Sequence, residues 1–372
     1  MLSVHCFLSP NEVFADVLKN QELCSVTTKK VAVVLFNLGG PDSLESVRPF
    51  LFNLFSDPAI LRMPNPMRWM IAQIISRSRT EKSQDIYKLV GGRSPLLPST
   101  QAQADALQEK LEDVAETVSV HVCMQYWHPM ANEVVGAIKE EEPDRIILLP
   151  LYPQFSTTTA GTSLNAFNRE ARAQGLSAPI DSLCCFPFQS GYLAETVKNI
   201  RLSLDAASSR GKPRLLLSAH GLPERTIGAG DPYQWQVEQT AHAIVDAIRD
   251  LNPDHKICYQ SRVGPVKWIR PFIEDEIRRA GRDQVPVVIA PISFVSEHVE
   301  TLVEIEQEMR ELAEQVGVPG FERVPAVATG AAFVDGLANL VRRIVGRGGP
   351  ASEQGERLCP KNYSQCPMGL PK

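Results

Sequence analysis

Short apolar runs alternate with amphipathic stretches along most of the chain. The runs KVAVVLFN (30–37), RLLLSA (214–219) and VPVVIAP (285–291) are rich in aliphatic residues and carry almost no charge. Runs of this length and composition predict strands that are buried on both faces, as in parallel sheets. Stretches such as ANEVVGAIKEEE (131–142) place apolar residues at helical spacing between the strands. The alternation therefore predicts an α/β protein with parallel sheets covered by helices.

This alternating pattern occurs twice, which predicts two Rossmann-like halves with a cleft between them. Each half is predicted to be a parallel sheet flanked by helices. The chain has 372 residues, enough for two domains of ordinary size. Ligands of open parallel sheets bind at the carboxyl ends of the strands, so the cleft is the predicted site. The predicted division is an N-terminal extension (1–30), a first half (31–185), a second half (186–348) and a cysteine-containing tail (349–372).

Charge and motifs argue against several classes of function. The net charge is −5, whereas nucleic-acid-binding proteins usually present a basic face. Neither GxGxxG nor GxxxxGK[ST] is present, so we expect no nucleotide cofactor. No apolar run approaches the length of a membrane span, and residues 1–30 lack the basic start and apolar core of a signal peptide. We therefore expect a cytoplasmic protein without a spanning helix and without a nucleic-acid partner.

A histidine and a row of acidic residues follow two of the predicted strands. His220 comes directly after RLLLSA, and the Gly-Leu-Pro that follows would leave its imidazole exposed. In an α-helix placed after VPVVIAPISFVS, Glu300, Glu304 and Glu308 lie on one face, close to His298. Such a row is either a solvated helix face or a path for a cation, since carboxylates and imidazoles bind metals. Neither HExxH nor paired CxxC is present, which favours a weak, transient metal site over a structural one.

Two other groups of polar residues also have plain structural interpretations. The loop YPQFSTTTAGTS (152–163) could hold phosphate or carboxylate groups through its hydroxyls, or serve only as a turn and helix cap. Glu297 and Glu306 fall outside the acidic row, and we predict that both are solvated.

The segment AILRMPNPMRWMIAQIISRSRTEK (59–82) is apolar and rich in methionine, and it ends with basic residues. Methionine adapts to irregular shapes, so this segment is suited to line a pocket for a large, flat, apolar ligand. Its basic end would meet carboxylates at the rim of that pocket, or the head groups of anionic lipids. An ordinary amphipathic helix explains the same pattern.

Several long motifs occur together and in one order along the chain. They are LFNLGGPDSLESVRPFLFNLFSDP, GGRSPL, YPQFSTTTAGTSLNA, SAHGLPERTIGAGDPY, QSRVGPVKW and SFVSEHVETLVEIE. On these motifs the sequence resembles the ferrochelatases, which catalyse the last step of haem synthesis. The resemblance implies that Fe²⁺ and protoporphyrin IX are the substrates. It also implies a porphyrin cleft between two Rossmann-like halves.

The resemblance implies roles for individual residues. His220 and Glu300 match catalytic positions of the family, and both match metal-contacting positions together with His298 and Glu304. His220 would accept a pyrrole proton, and Glu300 would share that task or hold the metal. Glu304 and Glu308 would relay protons or iron. The matches to porphyrin-binding positions are Leu38, Arg79, Lys82, Tyr87, Ser94, Tyr126, Trp268 and Phe294.

Two features depart from the pattern of many relatives. The residue before the tyrosine of QYWHP is arginine in many of them, whereas this chain has Gln125. Some relatives bind a [2Fe–2S] cluster through four cysteines, several of them in a C-terminal tail. The tail here offers Cys359 and Cys366, and two further ligands would come from Cys184 and Cys185 or from Cys123.

Two alternatives to a ferrochelatase fit the same motifs. One is a chelatase that loads Co²⁺ or Ni²⁺ into a related tetrapyrrole, and the other is a non-enzymatic carrier of tetrapyrrole or metal. The methionine- and tryptophan-rich segment favours an apolar porphyrin over a ring with many carboxylates. The expected partners beyond the substrates are the cytoplasmic face of the inner membrane, contacted peripherally, and neighbouring enzymes of the haem pathway.

Overall fold

The computed structural model describes residues 29–262 and 264–369, which form two parallel sheets covered by helices. The first sheet contains β1 (Lys30–Asn37), β2 (Thr117–Met124), β3 (Arg145–Pro150), β4 (Ile180–Cys185) and β9 (Gly349–Ser352). The second contains β5 (Arg214–His220), β6 (Asp254–Gln260), β7 (Val287–Pro291) and β8 (Phe321–Arg323). Their strand orders are β2–β1–β3–β4–β9 and β6–β5–β7–β8, and all neighbouring strands run parallel. The predicted α/β class with two Rossmann-like halves is confirmed.

Helices cover the faces of both sheets. The earlier ones are α1 (Val47–Ser56), α2 (Asn65–Lys88), α3 (Leu96–Gln108), α4 (Ala131–Glu141) and α5 (Ala160–Ala173). The later ones are α6 (Ser190–Ser208), α7 (Glu224–Gly228), α8 (Tyr233–Ala247), α9 (Ile273–Asp283), α10 (Arg310–Gln315) and α11 (Ala331–Ile344). A 3₁₀ turn (Arg249–Leu251) follows α8, and a π-helix (Glu300–Met309) directly precedes α10. None of the described helices combines the length and the apolar composition that crossing a bilayer requires.

Strand β1 shows why the apolar runs are continuous. Val31, Val33 and Leu35 contribute to a core on one face of the first sheet. Val34 and Phe36 contribute to a second core on the opposite face. Helices cover both faces, so every side chain of the strand is buried whichever way it points. Each large aliphatic side chain buried in this way contributes roughly 1.5–3 kcal/mol.

The C-terminal part of the chain returns to the first sheet. Helix α11 packs against α6 and α3, and its Leu337, Val341 and Ile344 join the core on one face of the first sheet. Strand β9 then pairs with β4. The alternating pattern instead assigned α11 to the second half and treated residues 349–372 as a tail. The predicted and observed divisions of the chain differ because α11 packs on the first sheet. The order of strands and helices along the sequence does not reveal which sheet a helix covers.

One predicted strand differs in position from the observed one, and one predicted segment is not described. The last strand is predicted within RVPAV (323–327), whereas β8 ends at Arg323. Residues 1–28, most of the predicted N-terminal extension, lie outside the described residues.

Candidate active site

The ends of three strands in the second sheet bring the predicted catalytic residues together. His220 is the last residue of β5, and Ser261 directly follows the neighbouring strand β6. Glu300 begins the π-helix that follows β7. The Nδ1 atom of His220 lies 2.7 Å from Oε2 of Glu300, which is hydrogen-bond distance. The parallel topology thus joins two residues that are 80 positions apart in the sequence.

Ser261 holds two carboxylates at the start of the π-helix. Its backbone N–H donates to Oε1 of Glu304 at 2.8 Å, and its hydroxyl donates to Oε2 of Glu304 at 2.5 Å. The same hydroxyl lies 3.4 Å from Oε2 of Glu300. Ser261 has a φ of 65°, a left-handed conformation that costs a non-glycine residue roughly 1–2 kcal/mol. The motif QSRVGP signals a polar strand end here, but not that its serine would fix two carboxylates.

The π-helix alters the predicted acidic row. Its hydrogen bonds run from residue i to residue i+5, so its turn is wider than that of an α-helix. Glu300 and Glu304 both reach Ser261, whereas Glu308 is exposed on the outer surface. Of the two residues predicted to relay protons or iron, one therefore lies at the site and the other faces solvent.

The pKa values of His220, Glu300 and Glu304 are all shifted, but not in the same direction. Burial lowers the pKa of His220, but the Glu300 and Glu304 carboxylates outweigh burial and raise it above its ordinary value. Burial raises the pKa of Glu300, but the contact with His220 outweighs burial and lowers it. Burial and the charge of Glu300 together raise the pKa of Glu304 to about 7. His220 and Glu300 therefore favour an ion pair, while Glu304 gains and loses its proton near neutral pH.

His298 lies beside the pair and does not hydrogen-bond to it. Its Nε2 atom is 3.9 Å from Oε1 of Glu300, and its ring packs against Phe294 with centroids 4.4 Å apart. Burial lowers the pKa of His298, which favours a neutral imidazole. Its buried Nδ1 atom has no hydrogen-bond partner among the described residues. An unpartnered buried nitrogen of this kind is available to a bound ligand.

A cavity of about 440 Å³ opens between the two halves of the protein. The sequence-predicted site residues that line it are Leu38, Arg79, Tyr126, His220, Trp268, Phe294, His298, Glu300 and Glu304. The first half supplies a largely apolar wall, to which Leu51, Leu54 and Phe55 contribute. The acidic and histidine side chains come from the second half. The cavity therefore has one apolar side and one side able to bind a cation or accept protons.

Three of the predicted pocket residues do not line this cavity. Lys82 is exposed on α2, and Tyr87 and Ser94 are buried. The Ser94 hydroxyl packs so closely on Gly40 that a Cβ at position 40 would lie 2.4 Å from it. Burial and the charge of Glu300 raise the pKa of Tyr87 well above its ordinary value. Ser94 and the nearby Tyr87 hydroxyl thus pack around Gly40, behind the cavity wall.

Tyr126 lines the cavity, whereas the preceding residue, Gln125, does not. The Tyr126 hydroxyl donates to Oδ2 of buried Asp57 at 2.8 Å. Burial and that carboxylate raise the pKa of Tyr126, which keeps the hydroxyl protonated. Gln125 is half-buried, and its backbone N–H donates to the carbonyl of Asn37 at 3.0 Å. Its side chain is not part of the cavity wall.

The hydroxyl-rich loop at 152–163 is tied to an internal carboxylate. Fully buried Asp231 accepts hydrogen bonds from the Ser156 hydroxyl at 3.0 Å, the Thr157 N–H at 2.8 Å and the Thr157 hydroxyl at 2.7 Å. It also accepts one from the Tyr233 N–H at 3.0 Å. For Ser156 and Thr157, the binding of phosphate or carboxylate groups considered from the sequence is wrong, because Asp231 already uses their hydroxyls, whereas Thr158 and Thr159 line the cavity. The contact instead joins the two halves beside the cavity.

The prediction that Glu297 and Glu306 are solvated is also wrong. Arg323, at the end of β8, lies 2.9 Å from a carboxylate oxygen of each. Burial raises the pKa of Glu297, but Arg323 outweighs burial and lowers it. The backbone N–H of Ala326 also donates to Glu297 at 3.0 Å. These contacts fasten the π-helix and the residues before it to β8, which fixes the position of Glu300.

Four cysteines occupy two segments: Cys184 and Cys185 lie at the end of β4, and Cys359 and Cys366 lie in the C-terminal segment that follows β9. The Sγ atoms of Cys184 and Cys185 are 3.4 Å apart, at a shift in the register of β4. The neighbouring Cys359 thiol lowers the pKa of Cys366 to about 6, and Cys366 and Cys185 are close enough to raise the pKa of Cys359. Cys123 lies elsewhere, in the core on one face of the first sheet. Within the described ranges, no three His, Cys, Asp or Glu side chains surround a site for a single metal ion.

Two parallel sheets with a histidine–carboxylate pair in the cavity between them define an α/β protein of two Rossmann-like halves, with its site at the carboxyl ends of the strands. The chain belongs to the ferrochelatase family, since a sequence model of that family matches residues 30–344 and a Caulobacter vibrioides ferrochelatase is 48% identical over 91% of this chain and 98% of the relative. A Rickettsia prowazekii ferrochelatase is 44% identical, covering 92% of this chain and 99% of the relative. Among solved structures, SirB from Bacillus subtilis with Fe³⁺ aligns with 86% of this chain and 96% of its own, at 12% identity and a TM-score of 0.49.

Proposed function

We propose that the cavity binds protoporphyrin IX with its pyrrole nitrogens facing His220 and Glu300. As a ferrochelatase, the protein inserts Fe²⁺ into protoporphyrin IX and gives protohaem and two protons. The observation that carries the proposal is the 2.7 Å contact between Nδ1 of His220 and Oε2 of Glu300 on the cavity wall. The apolar wall contributed by the first half suits a flat, apolar macrocycle.

His220 is the acceptor for a pyrrole proton. Its Nδ1 is held by Glu300, so Nε2 is the ring nitrogen left for the substrate when the imidazole is neutral. Proton transfer to Nε2 produces an imidazolium, and the adjacent Glu300 carboxylate stabilises that charge. The pair raises the basicity of His220 beyond that of an isolated histidine in the same buried position.

Glu304 takes the second proton toward solvent. With a pKa of about 7, it both accepts and releases a proton near neutral pH. The Ser261 hydroxyl lies between its carboxylate and that of Glu300, which provides a hydrogen-bonded connection between the two acids. Glu300 and Glu304 offer carboxylate oxygens and His298 an imidazole nitrogen, which a ferrous ion can contact in turn on its way to the ring rather than in one fixed three-residue site.

A metal-insertion assay distinguishes a ferrochelatase from a non-enzymatic carrier and from a chelatase for another tetrapyrrole. Zinc added to the wild-type protein with protoporphyrin IX is expected to give the fluorescence of the zinc porphyrin. A non-enzymatic carrier would bind the porphyrin and leave its spectrum that of the free base. A chelatase for another tetrapyrrole would insert metal into a ring with many carboxylates faster than into protoporphyrin IX.

We also propose that Cys184, Cys185, Cys359 and Cys366 hold a [2Fe–2S] cluster. Four thiolates are the ligands of such clusters, and these four buried thiols form two pairs, one at the end of β4 and one in the C-terminal segment. Two pairs suit a two-iron cluster better than a single ion. A bound cluster supplies one-electron redox chemistry, and its ligands would tie the C-terminal segment to the first sheet.

An absorption spectrum tests the cluster directly. Wild-type protein purified without air, or reconstituted with iron and sulfide, is expected to show visible sulfur-to-iron bands. Cys359→Ser should lose these bands, while Cys123→Ser should keep them, because Cys123 lies in a separate core. A colourless reconstituted wild type, or bands that survive Cys359→Ser and vanish in Cys123→Ser, would overturn this ligand set.

We further propose that α2 contacts the cytoplasmic face of the inner membrane, where neighbouring haem-pathway enzymes release the lipophilic substrate. Met67, Trp69, Met70 and Ile74 of this helix are 52–61% exposed, and Arg79 of the same helix lines the cavity. Exposed apolar patches mark contacts with membranes or other proteins, and tryptophan favours the membrane interface.

Flotation with liposomes that contain anionic lipid tests this contact. The wild type is expected to float with the lipid, and Trp69→Ser should reduce the bound fraction several-fold by removing the largest apolar side chain of the patch. Leu202→Ser is the matched control, since Leu202 is 64% exposed on α6. The proposal fails if the wild type stays in solution, or if both variants lose binding equally.

A further inference from the structure

We propose that Arg225 binds one carboxylate of the porphyrin from the wall formed by the second half, and so fixes which edge of the ring faces outward. This inference rests on the proposed function. Arg225 lines the cavity, and its side chain forms no ion pair or hydrogen bond with any described residue. The motif SAHGLPER places it five positions after His220, so the short connection from the end of β5 to the start of α7 brings both the proton acceptor and the cation to the cavity.

The backbone around Arg225 is fixed. The preceding Glu224 N–H donates to the carbonyl of Lys267 at 2.9 Å, and Pro223 forms a β-bridge with Trp268. Thr226, the residue after Arg225, is buried. Trp268 itself lines the cavity. The guanidinium is therefore presented from a rigid base, which lowers the entropy cost of holding a ligand.

Two more arginines line the cavity from the first half. Arg79, on α2, lies over the Phe55 ring at 5.8 Å, and Arg62 forms no ion pair with a described residue. Arginines without an ion pair to a described residue, such as Arg249, also occur elsewhere on the surface, so these three are distinguished by their location in the cavity wall. Cations from both halves thus line a cavity whose other ionisable groups include the His220–Glu300 pair and Glu304.

This charge distribution matches the charge of the substrate. Protoporphyrin IX has two propionate groups, on neighbouring pyrroles at one edge of an otherwise apolar ring. Placing that edge near Glu300 and Glu304 would bring like charges together, whereas placing it near the arginines pairs opposite charges. Guanidinium groups bind carboxylates in a planar, two-pronged contact. Arg225 lies on one wall and Arg62 and Arg79 lie on the other, so both halves of the protein offer guanidinium groups to the propionate edge.

Kinetics with two substrates test the role of Arg225. Zinc insertion would be measured into mesoporphyrin, which keeps both carboxylates, and into its dimethyl ester, which has no charge, both in detergent micelles. Arg225→Met is expected to lower kcat/KM about tenfold for the dicarboxylate, the loss expected of one partly exposed charge-assisted contact. The change should appear mainly in KM, because the carboxylate is remote from the reacting nitrogens. Arg225→Lys should recover part of the loss.

Arg249→Met is the matched control, since Arg249 is exposed on the 3₁₀ turn after α8 and does not line the cavity. It should leave both substrates unchanged, and Arg225→Met should leave the ester within about twofold of wild type. Equal losses for the two substrates would show a structural role, and no loss for either would show that Arg225 does not bind the porphyrin. A wild type that inserts metal into neither substrate would instead overturn the proposed function.

Discussion

Replacing His220 with alanine is expected to lower kcat for metal insertion by about 100- to 10,000-fold, the range that a positioned general base contributes. The variant has no side chain to accept a pyrrole proton, and water in the cavity is a far weaker base. Porphyrin binding should change little, because the apolar wall that contacts the macrocycle belongs mainly to the first half. Initial rates of zinc porphyrin fluorescence, together with quenching of protein fluorescence by bound porphyrin, measure the two effects separately.

The matched control for this experiment is His242→Ala. His242 is exposed on α8 and does not line the cavity, so its loss should leave both rate and binding unchanged. Circular dichroism would show that both variants keep the α/β fold. A His220→Ala variant that folds, binds porphyrin and inserts metal at the wild-type rate would remove His220 from the reaction.

Replacing Glu300 with glutamine is expected to lower kcat/KM by at least about 100-fold, since it removes both a proposed metal contact and the hydrogen-bond partner of His220, the proposed general base. The sign of the pH effect follows from the contact with His220. The carboxylate raises the pKa of His220, so a neutral amide lets that pKa fall. Insertion requires neutral His220 and is lost as pH drops below its pKa. The acidic limb of the pH–rate profile should therefore move to lower pH in the variant.

Profiles of kcat/KM against pH for the wild type and Glu300→Gln would show both the loss and the shift. Glu314→Gln is the matched control, because Glu314 is an exposed residue of α10 outside the cavity. An acidic limb that stays in place would mean that Glu300 does not set the basicity of His220. A shift to higher pH would contradict the assigned ion pair.

The fold class was predictable from sequence for physical reasons, whereas the roles of His220 and Glu300 rest on the resemblance to the family. Strands buried on both faces leave long aliphatic runs, and parallel strands place their carboxyl ends side by side. His220 stands at one such end, and Glu300 begins the helix after another. The spacing of the acids suggested an α-helical row, but the π-helix brings Glu300 and Glu304 to Ser261 and leaves Glu308 in solvent.

The remaining features depend on contacts between distant segments. Glu297 and Glu306 look solvated in the sequence, but both form ion pairs with Arg323, which belongs to a strand later in the chain. These ion pairs fix the π-helix to β8. Asp231 takes the hydroxyl donors of a loop that precedes it by more than 60 positions. Arg225 reaches the cavity because a β-bridge fixes its loop. Such pairings need the three-dimensional path of the chain, since each partner looks like an ordinary surface residue in its own segment.

In the proposed mechanism, His220 and Glu300 remove protons from protoporphyrin IX as the metal enters. The most direct test of this mechanism is a count of the protons released during anaerobic Fe²⁺ insertion in a weakly buffered solution. The wild type is predicted to release two protons for each protohaem formed, in step with metallation, while His220→Ala binds porphyrin and releases almost none on the same timescale. Bound porphyrin that the wild type never metallates, or wild-type proton release by His220→Ala, would contradict the account.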